Sequence, residues 1–236
     1  MMEYNWQDVQ EDGILETIQT PNDYQRGYAK GIANANSALL HLPAPIWKSE
    51  DLKKIHQLLF EHVSPWAGKF HWKQHMIGGS PGSDPDMIEE LKLIGLQLEL
   101  LQPEETSPEN VIRIAAFYHI RLVTCHLFPD GNGRTARLLM DHYLETRLEK
   151  SAPGMPETRA YLDAFNLSLK NDNLAPLANV FSQSWLGHPE KTKVLPSPFR
   201  LTPFQLEPWK QTWMEASTRG PTGWISTPLC DPRIDQ

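Results

Sequence analysis

A chain of 236 residues, 40% hydrophobic and 22% charged, has enough material for one good core and a small appendage. Its net charge of −7 argues against general binding to nucleic acid or to an acidic membrane surface. Cys125 and Cys230 make no disulfide framework and suit a reducing cytoplasm; no apolar run reaches membrane-spanning length, and the first residues carry neither a basic nor an apolar leader.

Residues 1–19 are acidic and poorly periodic and read as a loosely attached N-terminal arm. Thr20-Pro21-Asn22-Asp23 is a helix start, with Thr as N-cap and Pro at the first helical position. The helix is expected over about 21–41, ended by Pro43 and Pro45, with Ala29, Ala33 and Ala38 as a small packing face. Ser49-Glu50-Asp51 opens the next helix, where Leu52, Ile55, Leu59 and Phe60 recur at helical spacing. Residues 65–79 then change character. Aromatics, Gly and little helical period predict an extended segment or a short hairpin. Gly78 to Gly82 lacks the Gly-Lys-Ser/Thr ending of a phosphate loop and reads as a connection.

Asp84-Pro85 opens a helix to about 101, with Met87, Leu91, Ile94, Leu98 and Leu101 on its apolar side. Ser107-Pro108 repeats the start signal. The helix from 108 to about 125 is apolar nearly all round, which predicts a buried central helix. Cys125 on it reads as a buried structural thiol, and His119 as a core or supporting residue rather than a metal partner of His126, about 10 Å away along the axis. Helices are expected to continue to about 148, from about 157 to 170 and from about 173 to 186, broken at Pro153, Gly154 and Pro156. Eight of the twenty prolines fall between 189 and 232, interleaved with Trp209, Trp213 and Trp224. That composition excludes a long helix or central strand, and its aromatics argue for a segment that wraps against the domain or a partner.

The chemistry is concentrated between the two central helices, where residues 126–137 read His-Leu-Phe-Pro-Asp-Gly-Asn-Gly-Arg-Thr-Ala-Arg. Gly131, Asn132 and Gly133 tolerate unusual backbone angles, and a turn of this kind at a helix start aims backbone N–H groups and the positive end of the dipole at one spot. Arg134 and Arg137 lie three apart and can face the same anion with guanidinium forks. Asp130 is a hard oxygen ligand suited to magnesium held by phosphates. His126 is the side chain here whose ordinary pKa suits a general base near neutrality. Phe128 is expected to plug the core and fix the loop. Singly these are a turn, a helix-end histidine and a solvated face; together they point to phosphate handling.

This stretch resembles in full the signature of the Fic family, His-x-Phe-x-Asp/Glu-Gly-Asn-Gly-Arg-x-x-Arg, and the resemblance extends from Pro65 through about Trp185. It implies an all-α, Fic-type helical domain over 20–187 with a small β-hairpin flap, about 66–79, over the active site, and a Pro/Trp-rich extension over 188–236. It implies transfer of AMP from ATP, with Mg2+, to a Ser, Thr or Tyr hydroxyl of a target protein. His126 would be the base and Asp130 the metal ligand. Gly131, Asn132 and Gly133 would hold the α- and β-phosphates, and Arg134 and Arg137 the outer ones. Lys69-Phe70-His71-Trp72-Lys73 resembles the first flap strand and His75-Met76-Ile77 the second, and the flap would dock the target by strand addition. His71 departs from the Arg common there. Transfer of UMP or phosphocholine on the same fold, or a non-catalytic nucleotide-binding module, are the alternatives; Arg134 in place of Lys disfavours a kinase. Many Fic proteins carry an inhibitory Ser/Thr-x-x-x-Glu-Gly/Asn helix. Here only Glu109 precedes Asn or Gly, and Glu105 stands where Ser or Thr is required, so a separate small antitoxin-like protein is the expected source of restraint.

Overall fold

In the computed structural model, residues 14–70, 76–77, 80–81, 84–105, 107–153 and 158–188 are described. Among these the chain is helical: α1 Pro21–Leu39, α2 Ser49–Phe60, α3 Asp84–Leu101, α4 Pro108–Cys125, α5 Asn132–Leu148, α6 Thr158–Asn171 and α7 Ala175–Leu186. Two short strands, β1 Met76–Ile77 and β2 Ser80–Pro81, pair antiparallel, Met76 opposite Pro81 and Ile77 opposite Ser80.

The start signals work as local chemistry requires. Asp23 N–H donates to Thr20 Oγ1 at 3.2 Å, and Thr20 N–H donates back to Asp23 Oδ2 at 3.0 Å, a reciprocal capping box at the head of α1. Asn110 N–H donates to Ser107 Oγ at 3.2 Å at the head of α4. The last residues before α1 are attached rather than loose: Leu15 N–H donates to Val63 O at 3.1 Å, and Ile18 is buried.

Helix α4 is the central element. From Val111 to Cys125 every residue except Arg113 is buried, and α3, α5 and α7 all pack against it. Its polar side chains are matched inside the core. Arg121 pairs with Glu90 of α3, and His119 Nε2 lies 2.8 Å from the hydroxyl of Tyr161 on α6. Burial pushes the Cys125 thiol up to about 12, as expected of an inert core cysteine. Helices α1 and α2 pack on each other, α6 and α7 likewise, and α2 meets α5. No helix among the described residues is long and apolar enough to cross a membrane.

The anticipated first flap strand is not seen where it can be checked. Lys69 and Phe70 have no strand partner, His71 to His75 lie outside the described residues, and Met76–Ile77 pairs forward with Ser80–Pro81. Phe70 is buried, its ring against Phe128, centroids 5.1 Å apart, with the Lys53 ammonium 4.5 Å above it. Residues 1–13 of the arm and 189–236 of the extension also lie outside the described residues.

Candidate active site

Three devices shape the loop between α4 and α5. First, His126 caps α4 in the left-handed conformation, φ 49° and ψ 56°, which turns the chain sharply out of the helix and leaves its ring almost wholly buried. A non-glycine residue here carries strain that the surrounding fold must hold. Second, Gly131 caps α5 at φ 77°, and a Cβ there would come within 2.5 Å of the Phe60 ring. Glycine is required by angle and by space alike. Third, Asn132 staples the loop with both ends of its amide: Phe128 N–H donates to Oδ1 at 2.9 Å, and Nδ2 donates to Phe128 O at 2.7 Å. The side chain of Asn132 is therefore committed to the loop, and the anion-facing part of Gly131 to Gly133 is main chain.

The N-terminus of α5 has no side-chain cap hydrogen bond and no acidic residue in its first turn. Its leading N–H groups point along the helix dipole toward the loop. Phe128 is buried as expected, its ring stacked flat on His56 at 3.7 Å.

The two arginines of the motif are both nearly buried, 6% and 9% exposed, and held differently. Arg134 Nη2 donates to Asp130 Oδ2 at 2.9 Å, and Nη1 donates to the Tyr24 hydroxyl at 2.8 Å. Its guanidinium lies 4.3 Å over Phe60 and 5.1 Å over Tyr28. Burial opposes the charge, but Tyr24 and Asp130 more than offset this and hold the group cationic well above the usual arginine range. Arg134 thus orients Asp130 in addition to offering positive charge. Arg137 lies 5.3 Å over the ring of Tyr161, the tyrosine whose hydroxyl meets His119. Asp141, one turn further along α5, has its carboxyl pushed up to about 7, chiefly by burial and further by Glu145, with Arg137 acting in the opposite sense.

Sequence reasoning places His126, Asp130, Gly131, Asn132, Gly133, Arg134 and Arg137 together, and the structure has them on one loop and the following helix. It missed Tyr24, Tyr28, His56, Phe60 and Tyr161, which hold that set in place. Of the expected docking residues, Lys69 donates to Pro65 O at 2.7 Å and Phe70 is in the core; His71, Trp72 and Lys73 lie outside the described residues.

A glycine-capped loop, a paired Asp–Arg and a buried helix-end histidine at the head of one helix form an arrangement chemically suited to an anion. Residues 46–144 match the Fic/DOC family. Over 97 residues the chain is 37% identical to a protein named protein adenylyltransferase Fic from Culex quinquefasciatus and 36% identical to the one from Drosophila melanogaster. Each alignment covers 40% of this chain and 19% of the relative, so the matched part spans about a fifth of those proteins. The fold is similar to BepC, a VirB-translocated effector of Bartonella tribocorum with bound AMPPNP, at a TM-score of 0.53 and 22% identity over 75% of this chain and 92% of that one. It is equally similar to the N-terminal Fic domain of a putative cell filamentation protein from Bartonella quintana with bound ADP: TM-score 0.54, 21% identity, 75% and 91% of the two chains.

Proposed function

We propose that this chain is a protein adenylyltransferase, moving AMP from Mg-ATP to a Ser, Thr or Tyr hydroxyl of a target protein. One observation carries the reading: a buried helix-end histidine, an Asp130–Arg134 pair and an uncapped helix N-terminus share a single short loop. The name of the insect relatives and the nucleotides bound in the Bartonella structures support it.

In the reaction the acceptor oxygen bonds to the α-phosphorus, the bond from that phosphorus to the bridging oxygen breaks, and pyrophosphate leaves. His126 takes the hydroxyl proton. The N–H groups at the head of α5 hold the α- and β-phosphates, and Arg137 and Arg134 balance the charge of the outer ones. The donor set fits magnesium: Asp130 offers one carboxylate, already oriented by Arg134, and among the described residues no group of three or more His, Cys, Asp or Glu forms a protein cage. A magnesium ion bound there would neutralise phosphate charge and take its other ligands from phosphate and water.

The functional unit is residues 20–187, because Tyr24 of α1 and Tyr161 of α6 hold the two motif arginines. The segment around Lys69 to Lys73 and the β1–β2 pair forms the target-docking side, and the protein works in the cytoplasm under a small antitoxin-like partner that masks Arg137. Transfer of UMP or phosphocholine is the alternative chemistry. The test is direct. With magnesium, α-labelled ATP marks a target protein or the enzyme itself, γ-labelled ATP does not, and His126→Ala abolishes the label while ATP binding and helical content stay near wild type. Label from the γ-position alone makes the protein a kinase; no label from either, with ATP bound, favours another donor or a binding module.

A further inference from the structure

His56 lies in the middle of α2 on the face made by Leu52, Ile55, Leu59 and Phe60, and it is fully buried. Both of its ring nitrogens are nevertheless used. Gly68 N–H donates to Nδ1 at 2.8 Å, so Nδ1 is the bare nitrogen. Nε2 lies 3.1 Å from the carbonyl oxygen of Asp130, which only accepts, so Nε2 carries the proton. The tautomer follows from the partners alone. The ring is clamped face to face on Phe128 at 3.7 Å, with Phe60 at 4.7 Å and Trp66 at 5.8 Å.

The two main-chain groups belong to different parts of the domain. Asp130 immediately precedes the cap of α5, and Gly68 closes the turn that leads into Lys69 to Lys73. Glycine stands on each side of the imidazole for the same reason. A Cβ at Gly131 would come within 3.3 Å of His56 Nε2. Gly68 is left-handed at φ 72°, and a Cβ on it would meet Gln57 Cβ at 2.7 Å and Lys53 O at 3.1 Å. Both backbones approach α2 as closely as glycine allows, and His56 fills the space between them with one donor and one acceptor.

We propose that His56 is a positioning residue that locks the Asp130 main chain and the Gly68 turn into one piece, fixing the distance between the anion site and the docking side; its bearing on catalysis rests on the adenylyl-transfer reading. It moves no proton and touches no reacting atom. Its two duties are separable by substitution. In His56→Asn the side-chain oxygen sits where Nδ1 was and keeps the bond from Gly68. In His56→Gln the amide NH2 reaches where Nε2 was and keeps the bond to Asp130. His56→Phe keeps the stacking and loses both.

The first measurement is the long-range 15N–1H spectrum of the labelled full chain, which should show Nδ1 without a proton and Nε2 with one. The opposite tautomer, or protons on both nitrogens, overturns the proposal. Amide exchange at Gly68 should stay slow in His56→Asn and become at least about tenfold faster in His56→Gln and His56→Phe. With α-labelled ATP, His56→Gln should raise the KM for the target more than the KM for ATP, and His56→Asn the reverse. If all three variants lose activity in parallel with thermal stability, and Gly68 exchange does not distinguish them, His56 only packs and the proposal fails. Absence of label with unsubstituted protein would sink adenylyl transfer itself, while the tautomer and exchange results would still decide the role of His56.

Discussion

Gly131→Ala tests the loop at its tightest point, and Gly187 supplies the control. The two glycines have nearly the same backbone, φ 77° and ψ 7° at Gly131, φ 77° and ψ 8° at Gly187. They differ in their surroundings. A Cβ at Gly187 meets nothing within 4 Å, whereas one at Gly131 lies 2.5 Å from two carbons of the Phe60 ring. Phe60 cannot yield cheaply, because it is fully buried with Arg134 4.3 Å above its face. An L-residue in the left-handed region costs about 1–2 kcal/mol, which both variants share. Forcing a methyl into packed surroundings adds about 1–3 kcal/mol, which falls on Gly131 alone. Gly187→Ala is therefore expected to lose about 1–2 kcal/mol and Gly131→Ala about 2–5 kcal/mol. Urea unfolding followed by circular dichroism reads both, and a cycle with Phe60→Leu should recover part of the excess as coupling between positions 60 and 131. Equal losses for the two glycines, or no coupling to Phe60, would refute the overlap argument.

Three further outcomes follow from the core around the site. Asp141 holds its proton up to about pH 7 in the folded chain, well above the usual aspartate range. The unfolded chain releases it first, so this group favours the fold at low pH and loses that favour as pH rises through 7, at no more than about 1.4 kcal/mol per pH unit. Relative to Asp141→Asn, wild type should become progressively less stable between pH 4 and 7 and level off above; a flat difference would discredit the buried-carboxyl account. Tyr161→Phe removes the hydroxyl that meets buried His119 and should cost about 1–3 kcal/mol of stability while leaving ATP affinity near wild type, because the ring under Arg137 remains. Tyr161→Leu should weaken ATP as well; equal ATP affinity in the two variants would mean the ring does not hold Arg137. Glu90→Ala removes the buried carboxylate that pairs with Arg121 and should cost about 3–5 kcal/mol in thermal or urea unfolding, and a loss below about 1 kcal/mol would show that the pair is not closed in solution.

Helix starts were legible because their chemistry is local. Thr20 and Ser107 find their partners three residues away, and Pro21 and Pro108 preset the first turn. The buried character of α4 was legible too, since a helix apolar on all sides has no wet face. The motif residues could be named from spacing, but what holds them could not. Arg134 meets Tyr24 across 110 positions, and His56 meets Asp130 across 74. The one local hint was a histidine on the apolar face of α2, next to Ile55, which signals a satisfied buried ring without revealing its partners. The strand expected over Lys69 to Lys73 can be checked only at Lys69 and Phe70, where the chain is not in a strand and Phe70 lies under Phe128, a long-range contact that the local sequence does not reveal.

The stapled amide of Asn132 has a consequence for selectivity. With that side chain spent on Phe128, the anion-facing surface at the head of α5 consists of peptide N–H groups, identical in kind whatever nucleotide they meet. On the proposed reading such a surface would recognise phosphate and be blind to base and sugar. Donor preference would then be a separable trait, written in side chains outside residues 126–137, and open to change by substitution there while the phosphate grip stays as it is.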